Sequence, residues 1–337
     1  MKEFEIRPKK LFNEYLEISR KDIERFFHDY NKFVEIACPA CECKKSNFAF
    51  EKSKFSYRVC SECLTLFTSP RPTEEMINNF YRDSASGKFW AERFFPETAE
   101  ARRKMIFRPR AELLAQVLEG VKLPKPVALA DVGSGFGIFL EEVKKTGIFD
   151  EVIGIEPSVD LADCCRKKGF KVIEKGIEEI GEKEIQVSAA CSFEVLEHLF
   201  DPAKFVRGMG KILQPGGIML FTTLTISGLD LQVLWDRSKS ISPPHHINFL
   251  STEGLRKLIA RCGFEEIEIS TPGKLDVDII RNTTLEMPDI KVPRFMEYVI
   301  KHRGRKTAEA LQKYLQENQL SSHARVIARK KQVDNSA

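Results

Sequence analysis

Asp131-Val-Gly-Ser-Gly-Phe-Gly137 is the stretch that decides the fold of this chain. The apolar run Val127–Ala130 leads into it and the helical pattern Ile138–Lys145 follows, which predicts a buried strand, a glycine-rich loop and a helix. Glycines at alternate positions let the backbone turn sharply and let a ligand approach without an intervening side chain. A second apolar run, Val152–Ile155, ends at Glu156, where a parallel strand would present an acid to ribose hydroxyls.

The spacing of the glycines separates two classes of nucleotide ligand. A dinucleotide site has the pattern G-x-G-x-x-G and binds pyrophosphate at the helix N-terminus. This loop instead reads G-x-G-x-G behind Asp131, whose carboxylate would repel a pyrophosphate and could hold a cationic amino group. The loop resembles motif I of the class I S-adenosylmethionine-dependent methyltransferases. The resemblance implies that the cofactor is bound by Asp131, Gly133, Ser134, Gly135, Gly137 and Glu156.

The sequence downstream of the loop strengthens this resemblance. In order, the motifs are a predicted strand at Ser188–Phe193, Glu194-Val-Leu-Glu-His-Leu199, Asp201-Pro202, Gln214-Pro-Gly-Gly217 and a predicted strand at Ile218–Leu224. Together they are similar to the family's signature over roughly residues 109–270. The family implies a doubly wound α/β fold, with a Rossmann-like sheet of seven strands closed by an antiparallel strand at Ser321–Lys331. It also implies that Ser192 and Phe193 line the cofactor pocket, and that Ile177 or Glu178 contacts the adenine.

Two cysteine pairs near the N-terminus predict a metal site. Cys38-Pro-Ala-Cys41 and Cys60-Ser-Glu-Cys63 are separated by residues 42–59, a spacing typical of zinc ribbons. Four thiolates complete a tetrahedral Zn²⁺ site, so we expect it to be closed and structural; Cys43 is an additional thiol nearby. The cysteine pairs and the following Leu64–Pro72 resemble the zinc-binding N-terminal module of some bacterial methyltransferases, including the C-methyltransferases of deoxysugar nucleotides. Such modules help to form the acceptor site.

An aromatic and basic connector lies between the cysteine pairs and the glycine-rich loop. We expect its aromatic side chains to close over the cofactor, with Trp90 in contact with it and Tyr81, Phe94 and Phe95 beside it. Excluding water in this way favours a methyl transfer whose transition state disperses charge. The alternative is an amphipathic helix that packs on the catalytic domain and leaves its arginines in solvent.

The chemistry of methyl transfer to a hydroxyl requires a base that removes one proton, and histidine is suited to this near neutral pH. Pro243-Pro-His-His-Ile-Asn-Phe-Leu-Ser251 follows the predicted fifth strand and contains two of the chain's six histidines. His246 is the first candidate for the general base and His245 the second. The sugar C-methyltransferases carry a Glu-His pair in a comparable place, so the His-His pair favours O-methylation.

A divalent cation is the alternative to a histidine base for activating the acceptor hydroxyl. Glu194, Glu197 and His198 would share one face if their turn is helical, and with His246 they would offer oxygen and nitrogen ligands to Mg²⁺ or Mn²⁺. A similar arrangement occurs in small-RNA 3′-end methyltransferases and in some ubiquinone-pathway O-methyltransferases. The same motif is also common in metal-free relatives, in which the residue equivalent to His198 caps or packs the helix.

Length and composition set the organisation of the chain. With 337 residues and 42% apolar residues it can bury a sizeable core, and a net charge of only +4 implies no strongly polyanionic partner. Nine cysteines without a signal-peptide core or membrane span indicate a cytoplasmic protein with metal-bound or free thiols. The predicted segments are a helical segment at 1–36, the zinc module at 37–72, connector helices at 73–108 and the catalytic domain at 109–337 with an insertion at 271–320.

These patterns predict an enzyme that transfers a methyl group to a small or carrier-linked acceptor, such as a hydroxyl of a sugar or glycan precursor or of another metabolite. One alternative is RNA methylation, including metal-assisted 2′-O-methylation, since zinc modules precede some RNA methyltransferases. The basic residues that would support it are Arg102, Arg103, Lys104, Arg108 and Arg110. The other alternative is a non-catalytic scaffold that retains cofactor binding.

Overall fold

The computed structural model describes residues 3–119, 121, 123 and 125–331; the ends of the first and last predicted segments, 1–2 and 332–337, lie outside them. The strands are β1 Ser46–Lys52, β2 Phe55–Cys60, β3 Leu66–Thr68, β4 Ala128–Val132, β5 Glu151–Ile155, β6 Lys171–Ile173, β7 Val187–Phe193, β8 Leu213–Leu224, β9 Asn248–Phe249, β10 Phe264–Ser270 and β11 His323–Lys330. The helices are α1 Glu3–Ile6, α2 Lys9–Phe26, α3 Glu74–Asp83, α4 Ala85–Phe89, α5 Phe95–Arg102, α6 Arg108–Leu118, α7 Ile138–Lys144, α8 Val159–Lys167, α9 Pro202–Ile212, α10 Leu229–Leu234, α11 Thr252–Arg261, α12 Asp276–Glu286, α13 Arg294–His302 and α14 Arg305–Glu317.

A seven-stranded sheet forms the centre of the molecule, with the order β10-β11-β8-β7-β4-β5-β6. The pairs β7–β8, β4–β7, β4–β5 and β5–β6 are parallel, whereas β11 runs antiparallel to both of its neighbours. Every residue of β4 is buried, as expected of a parallel strand covered by helices on both faces. The predicted Rossmann-like sheet with an antiparallel closing strand is therefore confirmed.

The fifth strand of the predicted sheet differs from expectation at its start. We predict that Gln214–Gly217 breaks the chain before a strand at Ile218–Leu224, but β8 already begins at Leu213, which pairs with Val187. Gly216 adopts a positive φ of 78°, and the register of β7 against β8 shifts between Val187 and Ala189. The glycine-rich segment thus distorts the strand locally, as a bulge does, without ending it.

The cysteine pairs lie at the turns of a second, four-stranded sheet with the order β1-β2-β3-β9. Its last strand does not belong to the N-terminal segment: β9 follows the histidine pair of the catalytic domain and pairs antiparallel with β3, Leu66 opposite Phe249. A strand as short as β3 would otherwise present an open edge, and β9 covers it. The module is consequently built into the catalytic domain, and its cysteines share a core with the large sheet.

The predicted connector is helical almost throughout. Helices α4, α5 and α6 continue into one another through two π-helical turns, Trp90–Phe94 and Arg103–Phe107. Such turns insert an extra residue into a helix and change the direction of the side chains that follow. Within the described ranges, no helix has both the length and the apolar character that crossing a bilayer requires.

Candidate functional site: a cofactor cleft beside a histidine cluster

The glycine-rich loop connects β4 to α7 in a conformation that depends on glycine. Gly133, Gly135 and Gly137 have φ values of 78°, 53° and 71°, which side chains rarely permit. A Cβ atom at Gly133 would lie 2.9 Å from Cγ2 of Val195, so the loop lies directly against the segment that follows β7. A Cβ at Gly135 would meet no atom within 4 Å, so the backbone there is open to a ligand.

Two carboxyl groups flank this loop. Asp131 lies within β4, and Glu156 follows β5; its carboxylate accepts hydrogen bonds from the backbone N–H of Gly135 at 2.8 Å and of Ser158 at 3.0 Å. Burial, and then the charge of Glu156, raise the pKa of Asp131 to about 8. Burial also raises the pKa of Glu156, against the effect of the two N–H donors. A ligand with a cationic amino group and hydroxyls would offset the cost of burying both acids.

The end of β7 supplies the third side of the cleft. Ser192 is buried, and its Oγ has no hydrogen-bond partner among the described residues, which is unusual for a buried hydroxyl and fits a polar ligand. The Phe193 ring packs against Phe139 with a centroid distance of 4.5 Å, and the guanidinium of Arg110 lies 4.7 Å from the centre of the Phe193 ring. These residues therefore fit the cofactor that the sequence predicts.

The connector helix lies over the loop, but through a different aromatic residue from the one predicted. Phe95 stacks on Phe136 of the glycine-rich loop, with a centroid distance of 4.3 Å and an interplanar angle of 12°. Trp90 instead stacks on Phe94 at 4.2 Å and contacts Tyr15 edge-on. The π turn at Trp90–Phe94 separates these two sets of contacts. The cofactor contact predicted for Trp90 stays a prediction, and the observed stacking favours Phe95.

The two candidate bases have different surroundings. The Nδ1–H of His246 donates to the carbonyl oxygen of Ser240 at 2.6 Å, which leaves the Nε2 lone pair available, and the side chain is only half-buried. Burial lowers the pKa of His246 to about 4, against the effect of the Ser240 carbonyl. His245 is buried, packs against Phe80 at a centroid distance of 4.9 Å, and its Nε2 has no partner among the described residues.

A smaller cluster than the predicted set of four could hold a cation. One ligand atom each from Glu197, His198 and His246 lie within 4.8 Å of one another. Glu194 does not join them, because its positive φ of 57° and the single 3₁₀ turn Leu196–His198 replace the helix on which the prediction depends. Its Oε1 instead accepts hydrogen bonds from Arg110 at 2.6 Å and from Thr222 at 2.6 Å, and lies 2.7 Å from Nε2 of His323.

The four predicted zinc ligands come together. The Sγ atoms of Cys38 and Cys63 are 3.5 Å apart, as are those of Cys41 and Cys60, and all four lie within 4.8 Å of one another. A tetrahedral zinc ion with Zn–S bonds of about 2.3 Å separates its sulfur atoms by roughly 3.8 Å, so the cluster is compatible with zinc. Cys43 is not part of the cluster; its Sγ contacts the backbone of Lys45.

The basic cluster of the connector is largely neutralised within the protein. Arg103 forms ion pairs with Glu141 and Glu142 at 2.8 Å, Arg108 also pairs with Glu142, and Arg110 pairs with Glu194. Arg102 lies over the rings of Trp90, Phe94 and Phe95. Lys104 and Arg108 are the exposed members of the group, and the Nζ of Lys104 lies 3.9 Å from Glu100. These residues therefore do not form a free basic surface.

Three tyrosines that the sequence does not single out for the acceptor site surround the histidines. The hydroxyl of Tyr57 in β2 donates to the carbonyl oxygen of His246 at 2.6 Å. The hydroxyl of Tyr81 lies 2.9 Å from Nδ1 of His198 and 3.4 Å from the carbonyl of His245. Tyr15 of α2 packs on the His245 ring at 5.5 Å. Tyr81, which the sequence predicts beside the cofactor, contacts the histidines, and no local pattern marks Tyr57 or Tyr15, because each reaches the histidines from a distant part of the chain.

Replacing Glu156 by glutamine is expected to weaken cofactor binding by about ten- to a hundredfold, since hydrogen bonds to a charged group contribute about 1.5–3 kcal/mol. Calorimetric titration with S-adenosylhomocysteine measures this change. The matched control is Glu151→Gln, at the exposed start of the same strand, which should leave the affinity unchanged. Equal affinity of the Glu156→Gln and unchanged proteins would contradict the assignment.

Comparison with known proteins agrees with this geometry. A family described as "Methyltransferase domain" matches residues 99–269. The chain is 34% identical over 104 residues to a ubiquinone biosynthesis O-methyltransferase of Methylococcus capsulatus, covering 29% of this chain and 43% of the relative. A mitochondrial protein of the same name from Dictyostelium discoideum is 28% identical over 110 residues, covering 28% of this chain and 34% of the relative. The matches thus span less than half of these curated relatives.

Among solved structures, the chain is similar to the plantazolicin methyltransferase BpumL in complex with SAH. The sequence identity is 14% and the TM-score 0.49, and the match covers 76% of this chain and 94% of that chain.

Proposed function

Because this chain belongs to the methyltransferase-domain family, we propose that it transfers a methyl group from S-adenosylmethionine to a hydroxyl of a small or carrier-linked acceptor. The observation that carries the proposal is the contact between Gly133 of the glycine-rich loop and Val195, which lies in the segment that leads to His198. It brings the two buried acids of the cofactor cleft and the histidine cluster to the same edge of the sheet.

S-Adenosylmethionine supplies an activated methyl group on a sulfonium, which leaves as S-adenosylhomocysteine. The glycine-rich loop, Asp131 and Glu156 position it, and Phe95 on Phe136 keeps water from the cleft. His246 accepts the proton of the acceptor hydroxyl at Nε2, because its Nδ1–H is held by Ser240. The new bond joins the acceptor oxygen to the methyl carbon as the bond from carbon to sulfur breaks.

Sugar or glycan precursors are the acceptor class that we favour, and the argument is the built-in zinc module. Its strand β3 pairs with β9 directly after the histidine pair, so the module borders the acceptor side of the site. Because relatives of this chain are named ubiquinone biosynthesis O-methyltransferases, we include phenols as the comparison class. A screen of hydroxylated sugars, nucleotide sugars and phenols, read by mass increase of the product and by release of S-adenosylhomocysteine, tests the proposal. No methylated product together with no binding of S-adenosylhomocysteine would overturn it.

A metal-assisted O-methylation is the second candidate, and the cluster of Glu197, His198 and His246 favours it. Burial, together with the charge of Glu194, raises the pKa of Glu197 to about 8. One carboxylate and two imidazoles are a ligand set suited to a divalent cation. In this mechanism His246 would bind the cation, which would lower the pKa of the acceptor hydroxyl.

The two mechanisms predict opposite responses to EDTA. If the enzyme uses a catalytic cation, its removal is expected to lower kcat by about a hundredfold or more, and adding Mg²⁺ or Mn²⁺ should restore the rate. The reason is that a bound cation stabilises the charge of the transition state by several kcal/mol. The base mechanism predicts an unchanged rate. Zinc content must be measured in parallel, so that loss of the cysteine-bound ion is not mistaken for loss of the catalytic one.

RNA as the acceptor is less well supported by the site. Arg103, Arg108 and Arg110 are engaged by acids of the protein itself, so the cluster that motivates this alternative offers little free charge to a phosphate backbone. The retained acids and glycines of the cofactor cleft likewise argue for an enzyme over a non-catalytic scaffold.

A further inference from the structure

Two neighbouring arginines have no acidic partner within ion-pair distance in the described part of the chain. They are Arg7, between α1 and α2, and Arg102, at the end of α5. Nη2 of Arg102 donates to the carbonyl oxygen of Ile6 at 3.2 Å, which brings the two arginines together. Burial and then the charge of Arg7 lower the pKa of Arg102 to about 10. Two like charges held close together raise the free energy of the site unless an anion joins them.

Arg102 is exceptional among the arginines of its helix. Arg103, Arg108 and Arg110 each pair with a carboxylate, and Glu194, whose charge also reaches Arg102, is held by Arg110 and His323. Arg102 is instead held in place by the ring of Trp90, over which its guanidinium lies, and by a hydrogen bond that its Nε donates to Oγ1 of Thr98 at 3.1 Å. An arginine that is positioned in this way without a counter-charge is prepared for an external anion.

A chain of ring contacts connects Arg102 with the histidine pair. The guanidinium of Arg102 is 5.4 Å from the centre of the Trp90 ring, Trp90 contacts Tyr15 edge-on at 5.2 Å, and Tyr15 packs on His245 at 5.5 Å. The charge of Arg7 also acts on the Tyr15 hydroxyl. The N-terminal helices therefore carry positive charge to the edge of the acceptor site.

We infer that Arg7 and Arg102 bind a phosphate or carboxylate group of the methyl acceptor. Guanidinium groups bind either anion through paired N–H donors, and Arg7 and Arg102 are both partly exposed. This inference rests on the proposed function, since it assigns a chemical class to the acceptor. It predicts that acceptors without a phosphate or carboxylate group are poor substrates.

Titration of the full chain, saturated with S-adenosylhomocysteine, with inorganic pyrophosphate tests the inference, and malonate in parallel distinguishes phosphate from carboxylate. Calorimetry should show binding of at least one anion, and Arg7→Gln should weaken it by about tenfold or more while the affinity for S-adenosylhomocysteine is unchanged. Arg20→Gln, at an exposed position of α2, is the matched control and should leave both affinities unchanged. Arg102→Lys keeps the charge but loses the paired donors, and should also weaken the anion.

Three results would overturn the inference. They are no binding of either anion, equal weakening by Arg7→Gln and Arg20→Gln, and a loss of S-adenosylhomocysteine affinity in Arg7→Gln that matches the loss of anion affinity. The last would assign the arginine to the carboxylate of the cofactor. Failure of S-adenosylhomocysteine to bind the unchanged protein would instead refute the proposed function itself, so the two failures are distinguishable. Circular dichroism of each variant excludes misfolding as the cause.

Discussion

Replacing Cys63 by serine is expected to release the zinc ion, lower the melting temperature by roughly 10 °C or more, and abolish methyl transfer. Structural zinc sites contribute directly to folding free energy, and a loss of several kcal/mol shifts the melting temperature of a chain of this size by about 2–4 °C per kcal/mol. Cys63 is buried, and its Sγ is 3.5 Å from that of Cys38. Zinc content by mass spectrometry and melting followed by circular dichroism measure the first two effects.

The loss of activity follows from the hydrogen bonds that join the cysteine site to the histidine loop, residues 243–247, which carries His245 and His246. The carbonyl oxygen of Cys63 accepts a hydrogen bond from the hydroxyl of Ser251, and Thr68 donates from its backbone N–H to Ile247. Buried Arg71 donates to Thr68 and Asn248 on both sides of the β3–β9 pair. Disordering the turn at Cys60–Cys63 therefore removes the support of the segment that carries His246.

Cys43→Ser is the matched control for this experiment. Its thiol lies outside the group of four and hydrogen-bonds the backbone of Lys45, so zinc content, melting temperature and rate should remain unchanged. Two outcomes for Cys63→Ser would count against the argument. Retention of zinc and stability would mean that the cysteines do not bind the ion. Loss of zinc with full activity would mean that the module does not support the histidine loop.

The parts of the fold and site that could be predicted are those whose chemistry is local. Three glycines at alternate positions behind Asp131 have few structural solutions, and the loop between β4 and α7 adopts the expected one. The Cys-x-x-Cys pairs each place two thiols in one tight turn, so only the meeting of the two turns depends on the remainder of the fold. A local constraint of this kind does not depend on how the rest of the chain folds.

Features that depend on long-range packing could not be predicted. The four-residue cation site requires a helical turn at Glu194–His198, but the hydrogen bonds that Arg110 and Thr222 donate to Glu194 stabilise a different backbone, and both partners are distant in sequence. The stacking of Phe95 on Phe136 depends on a π turn that rotates the connector helix, and no residue pattern announces that turn. The strand β9 has only two residues, too short for any periodicity to indicate it.

Replacing His246 by glutamine is expected to lower kcat by about a hundred- to ten-thousandfold and to leave the affinity for S-adenosylmethionine nearly unchanged. This is the range that a positioned general base contributes, and glutamine keeps a polar side chain of similar length but cannot accept the proton. The cofactor residues lie on the glycine-rich loop and after β5, so their binding does not require the imidazole. Single-turnover rates, with cofactor affinity measured separately by calorimetry, check both expectations.

Two comparisons separate proton transfer from a merely structural effect. Imidazole added to a His246→Ala protein should restore part of the rate, because the small base can occupy the space left by the side chain and accept the proton. His28→Gln, an exposed histidine whose Nδ1 contacts only the carbonyl of Arg25 in the described chain, should leave the rate unchanged. A His246→Gln protein with a normal kcat would exclude His246 as the base. Recovery with Mn²⁺ but not with imidazole would instead assign its ring nitrogen to a cation, because a ligand lost from a metal site is offset by metal concentration and not by a free base.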